Sequence, residues 1–208
     1  MKMSNCGDLL DDNLGDRSKF PSEFAGQKLF VRGDDWQNNA MLGWAPYSMD
    51  IYAAGYKDAA DAILYALSER RTSLDSVIYP LVFLYRQGLE LQIKLILALA
   101  RQLANSPAKE DHSHSLMPMW AELRTLLNEL TPHACDQEVP AMEQFLHQLA
   151  EIDPQSFSFR YPEDKKGQLS LPDLHHINVR HLSEVMDSMF MLLSGIHSEL
   201  GEMDQHVW

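Results

Sequence analysis

Residues 74–104, LDSVIYPLVFLYRQGLELQIKLILALARQLA, form the longest apolar-rich run in the chain, and a line of charge crosses its middle. As one helix this stretch would extend about 45 Å at ~1.5 Å per residue, well beyond an ordinary helix. Val77, Leu81, Val82, Tyr85, Leu89, Leu91, Ile93, Ile96, Leu97 and Leu99 cover most of its circumference, and a helix apolar nearly all round is buried among other helices. Arg86, Glu90, Lys94 and Arg101 nevertheless fall on one narrow face, at steps of four, four and seven. Residues four apart face one another, and Glu90 ahead of Lys94 is the better orientation for an ion pair. A buried line of this kind is costly to desolvate and needs partners of good geometry. It is either a structural seam or a site, and the structural reading is favoured. In the functional version Arg86 and Lys94 bind phosphate while Glu90 orients them.

The run cannot be a membrane span, because Arg86, Glu90 and Lys94 interrupt every uncharged window of sufficient length. The opening residues, MKMSNCGDLLDDN, hold one lysine and no apolar core, so they do not fit a secretory signal. Cys6 and Cys135 lie far apart and form no metal-spaced cluster, which suits a reducing compartment. These features predict a soluble, cytoplasmic protein. At 208 residues the chain can build one domain with a substantial core, plus an extension. Its net charge of −13 is uneven: residues 1–101 hold 13 acids against 11 Lys and Arg, whereas residues 102–208 hold 17 against 6. That balance excludes a general nucleic-acid coat, which needs cations to neutralise phosphates, but leaves room for a small local basic site.

Around the central run the pattern is helical. Residues 1–46 are rich in Gly, Asp, Asn and Pro, the residues of turns. Phe20, Phe24, Leu29, Phe30, Trp36, Leu42 and Trp44 are too apolar for a free tail, which predicts an irregular arm packed on the bundle, with KLFVR (28–32) as a short strand. The helical domain is expected over 47–208. Its first helix begins near Ser48 as cap and ends at Arg70-Arg71, with Tyr52, Tyr56, Ala59, Ile63 and Leu67 as its apolar stripe. Ala53, Ala54, Ala59, Ala60, Ala62 and Ala66 make one side thin enough for a neighbouring helix to approach closely. Ser73 is the expected cap of the central helix, Pro80 should bend it or delay its start, and Gly88 implies a close helix neighbour. Further helices are expected over 116–130, 139–152 and from Asn178 to about Glu202. Between the last two lies a long irregular connection, 153–173, whose aromatic residues argue that it packs. The fold class is all-α, an antiparallel bundle of about five helices.

Two further groups carry chemistry. In Asp111-His112-Ser113-His114-Ser115, alternate histidines could share a metal with Glu110, Asp111 or His175-His176, but a usual site needs more ligands, and ordinary surface histidines are the favoured reading. His112 or His114 could also serve as acid or base in RNA cleavage, since histidine titrates near neutrality. In Ser158-Phe159-Arg160-Tyr161-Pro162 an arginine stands between aromatic residues, an arrangement that stacks on nucleic-acid bases or anchors a loop by pairing Arg160 with a buried carboxylate such as Glu90. The anchor is favoured. Phosphate-binding Gly loops, zinc-spaced cysteines and Gly-x-Ser-x-Gly nucleophile motifs are absent from the sequence.

With these segments in view, the chain resembles the HEPN superfamily of prokaryotic helical domains over roughly residues 48–200. The resemblance rests on Tyr85-Arg86, Leu89-Glu90-Leu91 and Lys94, and on His114-Ser115-Leu116 opening the next helix in the manner of the family's His-x-Leu start. Gly55-Tyr56-Lys57, Ala59-Ala60-Asp61 and Phe159-Arg160-Tyr161-Pro162 are similar to uncharacterised bacterial relatives. It implies a bundle that dimerises. Active members are metal-independent ribonucleases of toxin–antitoxin, phage-defence and CRISPR-associated systems, with an arginine and a histidine on one helix separated by about four to six residues, one to two turns. Here Arg86 is followed at that range by Leu91-Gln92-Ile93 and Arg180 by Val185-Met186-Asp187, while His133 lies too far beyond Arg124.

The resemblance therefore favours a member without the usual ribonuclease motif. Such a member would act as a homodimer that binds an antitoxin or defence-system protein or RNA, through Arg86, Glu90, Lys94, Arg160 and Tyr161, with no cofactor, metal or membrane. The alternative is a divergent endoribonuclease in which Arg86 and Lys94 stabilise the phosphorane and His112 or His114 is acid or base. A regulatory protein with a small-molecule pocket is a third reading. If the three distant segments converge on the charged line, Glu90 and Arg160 should lie within ion-pair distance, with Gly88 admitting the approach.

Overall fold

The computed structural model describes residues 19–42, 49–107, 113–132 and 138–205. It falls into two compact units, Met1–Tyr47 and Ser48–Trp208. In the first unit, two short 3-10 turns occupy Pro21–Phe24 and Trp36–Asn38. The Asn39 side chain ties the second turn back, accepting from the Gly33 N–H at 2.8 Å and donating to the Gly33 carbonyl at 2.9 Å. The expected strand at residues 28–32 does not form. A lone strand has no partner for its ladder, and among the described residues none is offered.

The second unit is all-α: α1 Met49–Ser68, α2 Leu74–Leu103, α3 Leu116–Leu130, α4 Glu138–Ile152 and α5 Val179–Gln205. No helix of the described residues is long and apolar enough to cross a membrane. Helix α2 is the hub. It packs against α1, α3 and α5, and α4 packs on α3. Leu81, Tyr85, Leu89, Ile93, Ile96 and Leu97 of α2 are fully buried, against Trp120 and Leu123 of α3, Leu146 of α4 and Leu193 and Leu200 of α5. This accounts for apolar residues around most of its circumference.

Local chemistry sets the helix ends. At the end of α1, Arg71 N–H donates to the Ala66 carbonyl and Arg70 N–H to that of Leu67, with Arg70 at φ 55°. Asn105 does the same after α2, at φ 51°, with Ser106 N–H donating to Arg101 and its own N–H to Gln102. Both ends are Schellman motifs in which a residue other than glycine takes the left-handed position. Helix α5 starts next to Asn178, as expected, and that residue caps it, its Oδ1 accepting from His181 N–H at 3.1 Å. Ser73 holds the cap position of α2 but not through its hydroxyl; its carbonyl instead accepts from Val77 N–H and Ser76 Oγ. Ser48 lies outside the described residues. Pro80 neither delays nor ends α2, which begins at Leu74 and runs through it. Helix α5 continues past Gly201 to Gln205, beyond the expected end at Glu202.

The packing face of α1 departs from the expected apolar stripe at two positions. Ala53 and Ala60 are its buried residues, while Tyr52 is 67% exposed and Ala59 lies outside the core. The stripe is only partly buried, with Ile63 packed against the core and Tyr56 against Phe83, and the thin alanine side carries the close approach to α2. Gly88 shows how close: a Cβ there would stand 3.0 Å from Phe190 Cζ and 3.4 Å from the Ala53 carbonyl oxygen. The approach that Gly88 admits is thus that of α1 and α5, and not of the segments carrying His114 or Arg160.

Candidate functional site

The i, i+4 spacing on α2 places Arg86, Glu90 and Lys94 in one column, and two other segments close over it. Arg86 has no exposed surface, and Glu90 keeps about 1%. Arg86 Nη1 donates to Glu90 Oε2 at 3.1 Å, its Nη2 to the His114 carbonyl at 2.7 Å, and its Nε to the Asp153 carbonyl at 3.0 Å. The Asp153 carboxylate adds charge, with Oδ2 3.4 Å from Nε, although it takes no aligned hydrogen bond there. Glu90 Oε1 accepts from Lys94 Nζ and lies 2.9 Å from His114 Nδ1, the same distance as from Lys94.

Each closing segment arrives for a local reason. Asp153 ends α4, its N–H donating to the Leu149 carbonyl. Its Oδ1 then accepts from the Phe157 and Ser158 N–H groups at 2.6 and 2.9 Å, across a turn with Ser156 at φ 56°. That is the side-chain turn an aspartate makes with backbone a few residues on. His114 lies just before α3, where the carbonyl and ring can both turn toward α2.

The column is electrically balanced, with Arg86 and Lys94 against Glu90 and Asp153. Two charges removed from water are tolerable when each is paired and hydrogen-bonded, as here. Burial alone would raise the Glu90 carboxyl; hydrogen bonds from Lys94 and His114, with the Lys94 charge, outweigh it and hold it below its ordinary value. An ionised Glu90 only accepts, so the proton between it and His114 belongs to Nδ1. The His114 Nε2 edge then faces outward, on a side chain 57% exposed.

The predicted site residues therefore divide. Arg86, Glu90, Lys94 and His114 are together. His112 lies outside the described residues. Arg160 and Tyr161 are not part of the cluster, and the expected Glu90–Arg160 ion pair is absent among the described residues. The connection after α4 does reach the charged line, but through Asp153 on Arg86, and Glu90 is already filled by Arg86, Lys94 and His114. Asp-Pro at a helix end was the available signal for that turn. Among the described residues, no group of three or more His, Cys, Asp or Glu is placed to hold a metal. His175 and His176 border a separate hollow with Asp75 and Tyr79 at the first turns of α2.

Arg160 is held by rings instead. Its guanidinium carbon lies 5.6 Å from the centroids of both Phe83 and Tyr161. Tyr161 stacks on Phe157 at 4.7 Å, and Phe83 meets Tyr56 of α1 edge-on at 6.4 Å. The loop is anchored, as favoured, but by cation–π contact rather than by a carboxylate.

A second polar group went unforeseen on the opposite side of α2. Lys57 pairs with Asp61 at 2.6 Å and with Asp187 of α5 at 2.7 Å, and lies over the Tyr85 and Phe190 rings. Tyr85 Oη donates to Asp61 at 3.3 Å. Burial, then the Asp61 and Asp187 charges, push the Tyr85 phenol well above its ordinary value, so it remains a neutral donor. Only the Lys57–Asp61 half was visible as an i, i+4 pair.

No protein-family model matches the chain, and neither do any curated proteins or solved structures.

Proposed function

We propose that the chain is a HEPN-like helical protein of a bacterial defence or toxin–antitoxin system that works by dimerising and by binding a partner protein or RNA, without the usual ribonuclease motif. One observation carries the non-catalytic part: Arg86, the arginine on which a phosphorane-stabilising role would rest, has no exposed surface and donates to three protein acceptors. A phosphate in solvent does not reach it. The column acts as a latch that fixes the starts of the α3 segment and of the loop after α4 onto α2. An apolar groove between α4 and α5, lined by Met142, Phe145, Met189, Leu192 and Ile196 with Met191 73% exposed at its side, supports an assembly role.

A second reading has one observation in its favour. His114 is fixed through Nδ1 on a buried carboxylate with Nε2 outward, the arrangement a general acid or base needs. That reading is the divergent metal-independent endoribonuclease with His112 or His114 as acid or base beside Lys94 and Glu90 orienting, and the burial of Arg86 counts against its share in holding the phosphorane. Incubation of the purified protein with total RNA in chelator separates the two. The proposal expects no cleavage above background and a dimer by light scattering. Cleavage abolished by His114→Ala would establish the second reading instead, and a monomer at all concentrations would remove the dimer.

A further inference from the structure

A hollow of about 220 Å³ opens between α2, α4, α5 and the connection that joins the last two helices. Val82, Phe159, Met186 and Met189 are its buried lining. An apolar cavity of about 150 Å³ is large enough to hold benzene, so a hollow of this size and lining suits one ring with a short apolar arm. Its polar lining is confined to four exposed side chains, Gln148 of α4 and His176, Asn178 and His181 where the chain enters α5. No acid lines it, although residues 102–208 carry 17 acids against 6 Lys and Arg. The Asn178 carbonyl oxygen is spent on the His181 N–H, which leaves its amide nitrogen to donate. Among the described residues, the side chains of Gln148, His176 and His181 have no hydrogen bond or ion pair, and each carries an N–H donor. The mouth is therefore a ring of unused donors around an apolar interior.

The same segment supplies a way in. Residues 171–177 are irregular and, among the described residues, make no hydrogen bond to the rest of the protein. Leu174 and Ile177, both partly buried, are the apolar side chains that this segment adds to the lining. Held by side-chain packing alone, it is a strap that lifts at low cost and admits a molecule from solvent.

We propose that this hollow binds a small aromatic carboxylate, its ring against Phe159, Met186 and Met189 and its carboxylate on the donors of Gln148, His176, Asn178 and His181. Phenylalanine and methionine walls favour a ring, through ring–ring and sulfur–aromatic contacts. A carboxylate only accepts, so it meets a donor-lined mouth without leaving a donor of its own unpaired, and hydrogen bonds to it are charge-assisted. This site goes beyond the binding role proposed above and rests on neither the dimer nor RNA.

The full chain is titrated by calorimetry with para-ethylbenzoate, with acetate, which has the head alone, and with para-ethylbenzamide, which keeps the shape without the charge. The benzoate should bind at least about tenfold tighter than acetate, because burial of the ring adds to the head contact. It should bind severalfold tighter than the amide. In a spectrum of protein isotope-labelled at the methionine methyls, Met186 and Met189 should shift on saturation while Met119 of α3 stays in place. Val185→Phe, which fills the hollow from α5, should weaken the benzoate at least about tenfold, with thermal unfolding as the check that it is folded. His181→Leu should narrow the preference for the acid over the amide severalfold. Should the phenylalanine variant not fold, the methyl shifts of the wild type decide the location by themselves. The inference is overturned by no saturable binding to the wild type, by binding that leaves Met186 and Met189 unmoved, or by a folded Val185→Phe that binds as the wild type does. Acetate bound as tightly as the benzoate overturns the apolar site, and the amide bound as tightly as the acid overturns the carboxylate.

Discussion

Arg86 on α2 and Arg160 in the connection after α4 carry the same side chain into opposite situations. Arg86 is wholly buried on α2 with its donors spent on Glu90, the His114 carbonyl and the Asp153 carbonyl. Arg160 is exposed and held by the faces of Phe83 and Tyr161, its N–H groups turned to solvent. A sequence motif treats the two alike, as cations near aromatic or acidic residues. Burial separates them: the first is held by what it touches inside the protein, and the second is available to something outside it. Asp153 links the two regions, since it closes over Arg86 at one end and shapes the turn leading to Arg160 at the other.

The largest effect should come from breaking the buried side. Arg86→Met leaves Glu90 and two carbonyls short of a donor in a dry site, which should destabilise the fold by about 3–5 kcal/mol. Read by thermal unfolding, this is a drop of roughly 10 °C for a domain of this size. Asp153→Ala should come next, at about 2–3 kcal/mol, because a buried charged acceptor of two backbone N–H groups is lost. It should also release the Arg160 loop, so limited proteolysis should cut within residues 154–161 earlier than in wild type. A variant that loses stability without exposing the loop would separate the two regions.

Acid offers a titration of the same column. Glu90 is held below its ordinary value, so the unfolded state takes up a proton first as pH falls. Its contribution is complete above the ordinary carboxyl value of about 4.5 and is lost as pH drops through the lower folded value. Chemical denaturation should show Glu90→Gln less stable than wild type at neutral pH, with the difference shrinking below about pH 4.5. A constant difference across that range would mean that the Glu90 charge does not matter. The smallest effect belongs to the outer side. Phe83→Leu removes one ring under Arg160 and should cost about 1 kcal/mol, within the range of an exposed cation–π contact plus trimmed packing.

Much of the architecture was legible in the sequence, and the reasons mark its limits. The length and circumferential apolarity of α2 required a hub buried among helices, and the four-residue steps of Arg86, Glu90 and Lys94 required one column. Gly88 announced a close neighbour but not which one. On α1 the alanine side announced the close approach that Ala53 and Ala60 make, whereas the larger Tyr52 of the apolar stripe stays exposed. The partners of the column could not be read, because which of several distant carboxylates meets Arg86 depends on how the loop after α4 turns. Asp153 reaches it by capping its own turn, while Glu90, the carboxylate expected for Arg160, is taken by Arg86, Lys94 and His114. The Asp187 half of the Lys57 cluster was hidden for the same reason, since its partners belong to α1 and α5.

The central claim is that the fold depends on the buried Arg86 far more than on the exposed Arg160. Thermal unfolding of Arg86→Met and Arg160→Met, side by side at neutral pH, tests it most directly. The account predicts a large fall in unfolding temperature for Arg86→Met, about 10 °C, and a change of no more than about 3 °C for Arg160→Met. Equal unfolding temperatures for the two variants, or a larger fall for Arg160→Met, would contradict it.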